Sequence, residues 1–515
     1  MKHSKCFKWL PLILILLFAS SISADVKLPA VIGDNMVLQQ GTKVSIWGMA
    51  ETGERITVTL SSQRLTATAN DNGYWMVNLN PMKAGGPFEM LIAGKNTITL
   101  HNVMLGEVWV CSGQSNMWWP VNRAAIPEYE IAKSEYPAIR LFTVKQKVAG
   151  SPQNHTEGEW LECSPQTVGD FSAVGYFFGR ELHNTLGIPV GLIHTSWGGT
   201  PAEAWTSLPI LKSEPDFKPI LDRFEQAMKI YPQAKEKYEK QMTRWKQEVK
   251  KAKIEGKPEP NQPRQLLGPE HPHRPSGLYN GMISPIIPYG IKGVIWYQGE
   301  SNAGRAFQYR KLFKAMIQDW HRSWKQDNFP FIFVQLANYM EIQSQPIDDE
   351  WAELREAQLM ALALQKTAMA VTIDIGDADD IHPKNKQEVG RRLSLGALAI
   401  AYGHDIEYSG PIYDSMSIED DKIRLKFKHI DGGLVTKNNE PLKGFAIAGK
   451  DRKFFWANAK INGSELVVWS NQVPKPVAVR YAWASNPVCN LYNKAGLPAS
   501  PFRTDNWHGI TVDKK

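Results

Sequence analysis

Through the middle of the chain, short apolar runs alternate with stretches whose apolar positions recur every three or four residues. The runs are Val108-Trp-Val-Cys111, Ile139-Arg-Leu-Phe-Thr-Val144, Val190-Gly-Leu-Ile-His-Thr195, Gly293-Val-Ile-Trp-Tyr297, Phe331-Ile-Phe-Val-Gln335 and Met369-Ala-Val-Thr-Ile-Asp374. Each has the length of a buried strand. Between them lie stripes such as Tyr309, Leu312, Phe313, Met316, Ile317 and Trp320, which fall on one side of a helix. Strand and helix in alternation predict an α/β core, a parallel sheet covered by helices on both faces that binds ligands where its strands end.

The flanks read differently. From Val26 to about Val103, short β-branched and aromatic runs (Lys43-Val-Ser-Ile-Trp47, Arg55-Ile-Thr-Val-Thr-Leu60, Tyr74-Trp-Met-Val-Asn78, Thr97-Ile-Thr-Leu100) are punctuated by Gly, Asn and Asp. That pattern predicts an N-terminal β-rich module. Beyond about Gly403 the helical stripes stop and β runs return (Ile423-Arg-Leu-Lys-Phe427, Leu466-Val-Val-Trp469, Val477-Ala-Val-Arg-Tyr-Ala482), predicting a C-terminal β-rich region. Between Lys212 and Pro275, Lys, Glu and Gln dominate until the chain breaks into Lys257-Pro-Glu-Pro-Asn-Gln-Pro263. This reads as an inserted helical excursion, either a solvated helix pair or a lid. The expected domains are therefore 25–104, 105–403 with the insertion at about 212–275, and 404–515.

The first residues set the compartment. Met1-Lys-His-Ser-Lys-Cys-Phe-Lys8 precedes an apolar block from Trp9 to Ala19 and the small residues Ser20, Ser21, Ser23 and Ala24. This reads as a signal peptide over residues 1–24, with export to the periplasm or the exterior. The block is short for a bilayer span, and no later segment competes as one. Losing Lys2, Lys5 and Lys8 would reduce the formal charge of +7 to about +4, a mild excess that does not argue for a nucleic-acid partner. Of the four cysteines, Cys6 lies in the leader. Cys111 reads as a small buried apolar residue, and a Cys163–Cys489 bond is open but has no spacing rule behind it. The cysteines form no metal pattern.

The chemistry centres on Gly106-Glu-Val-Trp-Val-Cys-Ser-Gly-Gln-Ser-Asn-Met117, where a strand ends in a glycine turn that presents Ser115 between Gln114 and Asn116. A serine hydroxyl becomes a nucleophile only with a base and an oxyanion hole nearby. The base candidate is His382, in a loop that follows a strand and precedes a helix beginning near Lys386. Asp379 and Asp380 stand just before it, and either could orient the imidazole. Their spacing slightly favours Asp379, the i, i+3 partner. A calcium loop is disfavoured because the regular Asp ladder is missing, which leaves a plain solvated turn as the competing reading. Two more strand-end loops offer stabilising groups: Thr195-Ser-Trp-Gly-Gly-Thr-Pro201 supplies Gly198 and Gly199, and Trp296-Tyr-Gln-Gly-Glu-Ser-Asn302 supplies Gln298, Glu300 and Asn302. Trp118, Trp119, Trp197, Trp205 and Tyr297 are candidate surfaces for a sugar ring, with Asn116, Gln298 and Glu203 as hydroxyl partners.

Gly113-Gln-Ser-Asn-Met117, Gln298-Gly-Glu-Ser-Asn302 and Asp380-Ile-His-Pro383 resemble the signature blocks of the sialate O-acetylesterase family within the SGNH (GDSL-like) hydrolases. Ser276-Gly-Leu-Tyr-Asn-Gly-Met282 resembles a further segment of that group. The resemblance implies a three-layer α/β/α hydrolase core flanked by β-rich regions, a serine esterase without a metal or cofactor, and an acetylated carbohydrate as substrate. It makes Ser115 the nucleophile and His382 the base, with Gly198 or Gly199 and a residue of the 298–302 loop as oxyanion donors. Two departures leave roles open. Gln114 stands where the wider superfamily has Asp, and Ser301-Asn302 where it has Asn-Asp. The Asp-x-x-His pattern points to Asp379, whereas the Asp-Ile-His-Pro string points to Asp380. Acetylated sialic acid and acetylated plant polysaccharide such as xylan are the expected substrates. A general carboxylesterase and a non-catalytic sugar-binding protein are the alternatives, and oligomeric state has no signal in the sequence.

Overall fold

The structure is a computed structural model that describes residues 25–326 and 329–515; the expected leader lies outside these residues. Its centre is a sheet of seven strands: β1 (Thr97–Gly113), β2 (Tyr136–Thr143), β3 (Trp160–Cys163), β4 (Val190–Ser196), β5 (Gly293–Tyr297), β6 (Phe331–Gln335) and β7 (Thr367–Val371). They lie in the order β7-β6-β5-β1-β4-β2-β3, all neighbours parallel except the β2–β3 edge pair. The α/β core expected from the alternating runs is therefore present, with β-rich regions on either side of it in sequence.

Registered residues of parallel neighbours share a face, which fixes the layers. Trp109, Cys111, Ile295 and Ile332 point one way, toward α2 (Ala173–Leu186) and α6 (Lys386–Tyr402). There Trp109 meets Phe178 edge to face at 5.0 Å, and Gly390 lets α6 approach the backbone of α2. Trp296, Phe331 and Phe333 point the other way, onto Phe313 and Trp320 of α4 (Ala306–Trp324), against which α5 (Glu350–Leu359) packs. Both helices over the first face end as their sequences demand. Ser172 caps α2 by accepting from the Gly175 amide, Asn385 caps α6 by accepting from the Glu388 amide, and Gly187 and Gly403 close them in the left-handed region.

The sequence reading separates Thr97–Leu100 from Val108–Cys111, but the two belong to one 17-residue strand. Its first half alternates exposed and buried positions and pairs with Gly85–Ala93 of the N-terminal module; its second half is buried on both faces. The expected boundary near residue 104 thus falls inside a continuous strand, and one apolar cluster runs from Val26 to Leu398. The C-terminal strands have their own cluster around Ile423, Phe445, Leu466 and Phe502. Arg355 of α5 joins the two: wholly buried, it donates to the carbonyls of Leu336, Ala337, Ala484 and Ser485 at 2.6–2.8 Å. Burial lowers this guanidinium to about 10, with Asp349 opposing.

The insertion holds one long helix, α3 (Lys218–Glu255), in place of a helix pair. Only Ile220 and Ala252 of it are buried, and exposed i, i+4 pairs such as Lys240–Glu236 and Arg244–Glu248 line its surface. Each such pair is worth only about 0.3–0.5 kcal/mol. An extended return segment follows, held at Pro260 by the Trp245 indole at 2.8 Å. Cys111, Cys163 and Cys489 are free thiols; Cys163 lies against Ser134, and Cys489 sits in the C-terminal region beside Tyr481. No helix among the described residues is long and apolar enough to cross a membrane.

Candidate active site

Three neighbouring strands end at one level. Gly113 closes β1 opposite Ser196 of β4 on one side and Tyr297 of β5 on the other, so the three loops that follow emerge together. Gly113 is at φ +141°, and a Cβ there would stand 2.1 Å from the Tyr297 carbonyl oxygen, so only glycine fits. The Gln114 amide then donates to that same carbonyl at 3.0 Å, and the Gln114 carbonyl accepts from Met117 and Trp118 to start the single-turn helix α1 (Ser115–Trp118). Ser115 is therefore its first residue, half-buried, with its amide outside any backbone pairing among the described residues. A Cβ on Gly198 would meet the Ser115 Cβ at 3.3 Å, so the glycine loop lies directly against the serine. The amides of Gly198 and Gly199 are likewise outside backbone pairing among the described residues, and both glycines are exposed.

The His382 loop meets the same turn. Asn116 Nδ2 donates to the Ile381 carbonyl at 3.0 Å, and the Trp119 indole stacks on the imidazole with centroids 4.8 Å apart and planes at 15°. Of the two aspartates, Asp380 faces the histidine: its Oδ1 accepts from the His382 amide at 2.9 Å and lies 3.2 Å from Nδ1. This two-residue side-chain turn takes the place of the i, i+3 fold-back that spacing favours. Asp379 is exposed, its amide bonded to Asp377 Oδ1. Burial draws His382 below its usual pKa; Asp380 opposes this, and Lys386 adds to it.

The 298–302 loop is polar but turned inward. Gln298 is fully buried, donates to Thr200 O and Asn302 Oδ1, and accepts from the Tyr309 hydroxyl. Asn302 accepts from the Ala202 amide at 2.9 Å and donates to Glu203 Oε2 at 2.9 Å, while Arg305 holds Glu203 Oε1 at 2.7 Å. Burial pushes Glu203 up, but Arg305 and Asn302 outweigh it and hold the carboxylate below its usual range. Gln298, Asn302 and Glu203 therefore brace the loops through buried hydrogen bonds to one another and to Thr200, Ala202 and Arg305. Trp205 and Tyr297 are also wholly buried, which removes them as sugar surfaces. Trp118 is exposed, and Trp119 and Trp197 are half-buried. Among the described residues Gln114 is fixed at one end only: its Oε1 accepts from the Gly299 and Ser301 amides at 3.4 and 3.3 Å. Glu300 accepts from Asn116 Nδ2 at 2.6 Å, and burial raises its carboxyl.

Two residues come to the site without having been singled out in the sequence. His273, from the far end of the insertion, places Nε2 2.7 Å from the Gly199 carbonyl, a long-range contact with no local signal. Lys386 donates to Asn116 Oδ1 at 2.5 Å. It did have a signal, a cation at the first position of a helix, where the dipole favours anions. Among the described residues no group of three His, Cys, Asp or Glu side chains could hold a metal ion.

Comparison with known proteins agrees with this architecture. Residues 272–398, which include the 298–302 loop and His382, match the family described as carbohydrate esterase, sialic acid-specific acetylesterase. The crystal structure of a carbohydrate acetylesterase from Xanthomonas citri superposes with a TM-score of 0.80 at 35% identity, over 94% of this chain and 100% of that one. An esterase on an α/β sheet is thus the class that fold and family define. The sialate O-acetylesterase of Mus musculus is 32% identical over 95% of this chain and 97% of its own length, and that of Homo sapiens 30% over 96% and 95%. The chain belongs to the sialate O-acetylesterase family.

Proposed function

We propose that the protein hydrolyses acetyl esters on sugars, sialic acids foremost, with Ser115 as nucleophile, His382 as general base and Asp380 as the carboxylate that orients it. Nδ1–H of His382 donates to Asp380, which leaves Nε2 to accept the Ser115 proton. The serine oxygen attacks the acetyl carbonyl, and the tetrahedral oxyanion is met by the amides of Ser115 and of Gly198 or Gly199, joined by the free Nε2 end of Gln114. On collapse, the bond to the sugar oxygen breaks, His382 gives its proton to that oxygen so that the sugar leaves as the free alcohol, and an acetyl-serine remains. His382 then takes a proton from water as it attacks the acetyl carbonyl, and on collapse the bond from the acyl carbon to Ser115 Oγ breaks, Oγ takes the proton back from His382, and acetate leaves. Removing one oxyanion donor from such a site costs about 10²- to 10³-fold in kcat.

The observation that carries this reading is the joining of the two loops: Asn116 beside Ser115 bonds to Ile381 beside His382, while His382 rests between Trp119 and Asp380. The acetylated sugar is supported by the names of the relatives and by the exposed Trp118 and half-buried Trp197 beside the turn. Export is supported by the leader pattern of residues 1–24. Acetate release from a panel of O-acetylated sialosides and acetylated xylo-oligosaccharides tests the reading. Wild type should prefer the sialosides, and Ser115→Ala should lose turnover on every member while keeping its melting temperature. Substantial turnover by Ser115→Ala would refute the assignment.

A further inference from the structure

Beneath the Ser115 turn lies a buried cation that this chemistry leaves unused. Lys386 opens α6 and is wholly buried. Its Nζ donates to Asn116 Oδ1 at 2.5 Å and stands 5.3 Å from the centre of the Tyr297 ring and 5.9 Å from that of Trp119. The other end of Asn116 is also engaged, with Nδ2 donating to Glu300 Oε1 and to the Ile381 carbonyl. One lysine thus occupies the junction of three strand-end loops, those bearing Ser115, Glu300 and His382. The placement is costly twice over. An ammonium removed from water needs compensation, and the first turn of a helix repels cations. Asn116 Oδ1 is its one hydrogen-bond acceptor among the described residues.

We propose that Lys386 is a positioning residue for the esterase reaction: through Asn116 it ties the nucleophile turn to the base loop, and its charge disfavours a second positive charge on His382. This rests on the roles given above to Ser115 and His382. Lys386 faces the carboxyls of Glu300 and Asp380 and the rings of Trp119 and Tyr297. His382 faces Asp380 from its own loop, Trp119 from the serine side and Lys386 from α6. Burial pulls Lys386 down to about 7, with Glu300 and Asp380 pulling the other way. Burial also lowers His382, Asp380 opposes, and Lys386 adds to the lowering. Below about pH 7 the lysine is therefore charged, and its charge displaces the protonation of His382 to lower pH, which widens the range in which the imidazole is neutral and able to accept. Above that pH the amine is neutral but still donates to Asn116, so the positioning contact survives.

The pH dependence of kcat/KM for 4-nitrophenyl acetate, measured on full-length wild type, K386Q, K386M and K386R with melting temperatures alongside, tests this. K386Q keeps a donor for Asn116 without charge, and should move the acid limb upward by about half a pH unit or more. K386M should move the limb likewise and lower the plateau further, by about tenfold or more, because the turn loses its anchor. K386R keeps the charge and should leave the limb where wild type has it. Limbs that coincide in all variants, with losses confined to stability or KM, overturn the proposal. If K386M does not fold, the contrast between K386Q and K386R decides alone. Ser115→Ala separates the two levels: turnover surviving there overturns the serine assignment, whereas an inactive Ser115→Ala with unmoved limbs overturns only the role of Lys386.

Discussion

The turn at 113–117 and the loop at 298–302 leave adjacent strands at the same level, carry the same kinds of residue, and use them in opposite ways. In the turn, the Ser115 amide is outside backbone pairing among the described residues, and Gln114 is held at its oxygen only. In the loop, Gln298 and Asn302 are buried and bonded to Thr200, Ala202, Glu203 and Tyr309. The difference lies in the neighbours. Ala202 and Glu203, just past the glycine loop, reach inward and occupy both ends of the Asn302 amide, while Arg305, at the start of α4, holds Glu203 in place. In the first, Glu300, Ile381 and Lys386 take up Asn116, but among the described residues no such partner reaches the Ser115 amide or Gln114 Nε2. A polar residue at a strand end becomes chemistry only if the fold leaves its hydrogen bonds unspent.

The contrast can be broken from either side. The largest effect should come from Gly113→Ala, because the added methyl meets backbone at 2.1 Å and not a yielding side chain. Stability should fall by about 4 kcal/mol or more in urea unfolding, with activity lost alongside it. His382→Ala should instead leave unfolding unchanged and lower kcat by about 10²- to 10⁴-fold on a chromogenic acetate ester. Glu203→Ala is its mirror image. It strands Arg305 and Asn302 in the interior and should cost about 3–5 kcal/mol of stability, while kcat per folded molecule changes little. A Glu203→Ala enzyme that is stable but inactive would place that carboxylate in the chemistry.

Smaller effects sharpen the assignment of the acid. Asp380→Asn should lower kcat about fivefold, since the carboxylate is 39% exposed and a solvated pair is worth at most about 1 kcal/mol. Asp379→Asn should leave kcat unchanged; the reverse order would favour Asp379. The pH dependence has a definite sign. Burial and Lys386 hold His382 below its ordinary 6.5 despite Asp380, and the base must be neutral to act. Activity should therefore rise with pH and reach half its plateau below pH 6.5.

Much of this was legible in the sequence. The strands Gly293–Tyr297, Phe331–Gln335 and Arg55–Leu60 have the limits that their apolar runs predict, because burial on a sheet leaves a continuous or alternating trace. The serine turn was legible as well, through the glycine that its backbone requires. What stayed hidden depends on contacts distant in sequence. The strand Thr97–Gly113 passes from one module into the next, and only its pairing partners reveal its continuity. The bonds of Gln298 to Tyr309 and of Asn302 to Glu203 leave no local trace, and His273 and Lys386 reach the site from the far end of the insertion and from α6. Spacing favoured Asp379 slightly, whereas a two-residue side-chain turn puts Asp380 against the imidazole.

With Ser115 as the nucleophile, its hydroxyl is the one activated for attack. Treating the full-length protein with a fluorophosphonate and locating the adduct by peptide mass spectrometry tests it directly. One phosphonyl group on Ser115, formed in step with loss of esterase activity and formed far more slowly in His382→Ala, is the predicted result. Full inactivation with Ser115 unmodified, or labelling of Ser115 at the same rate without His382, would contradict it.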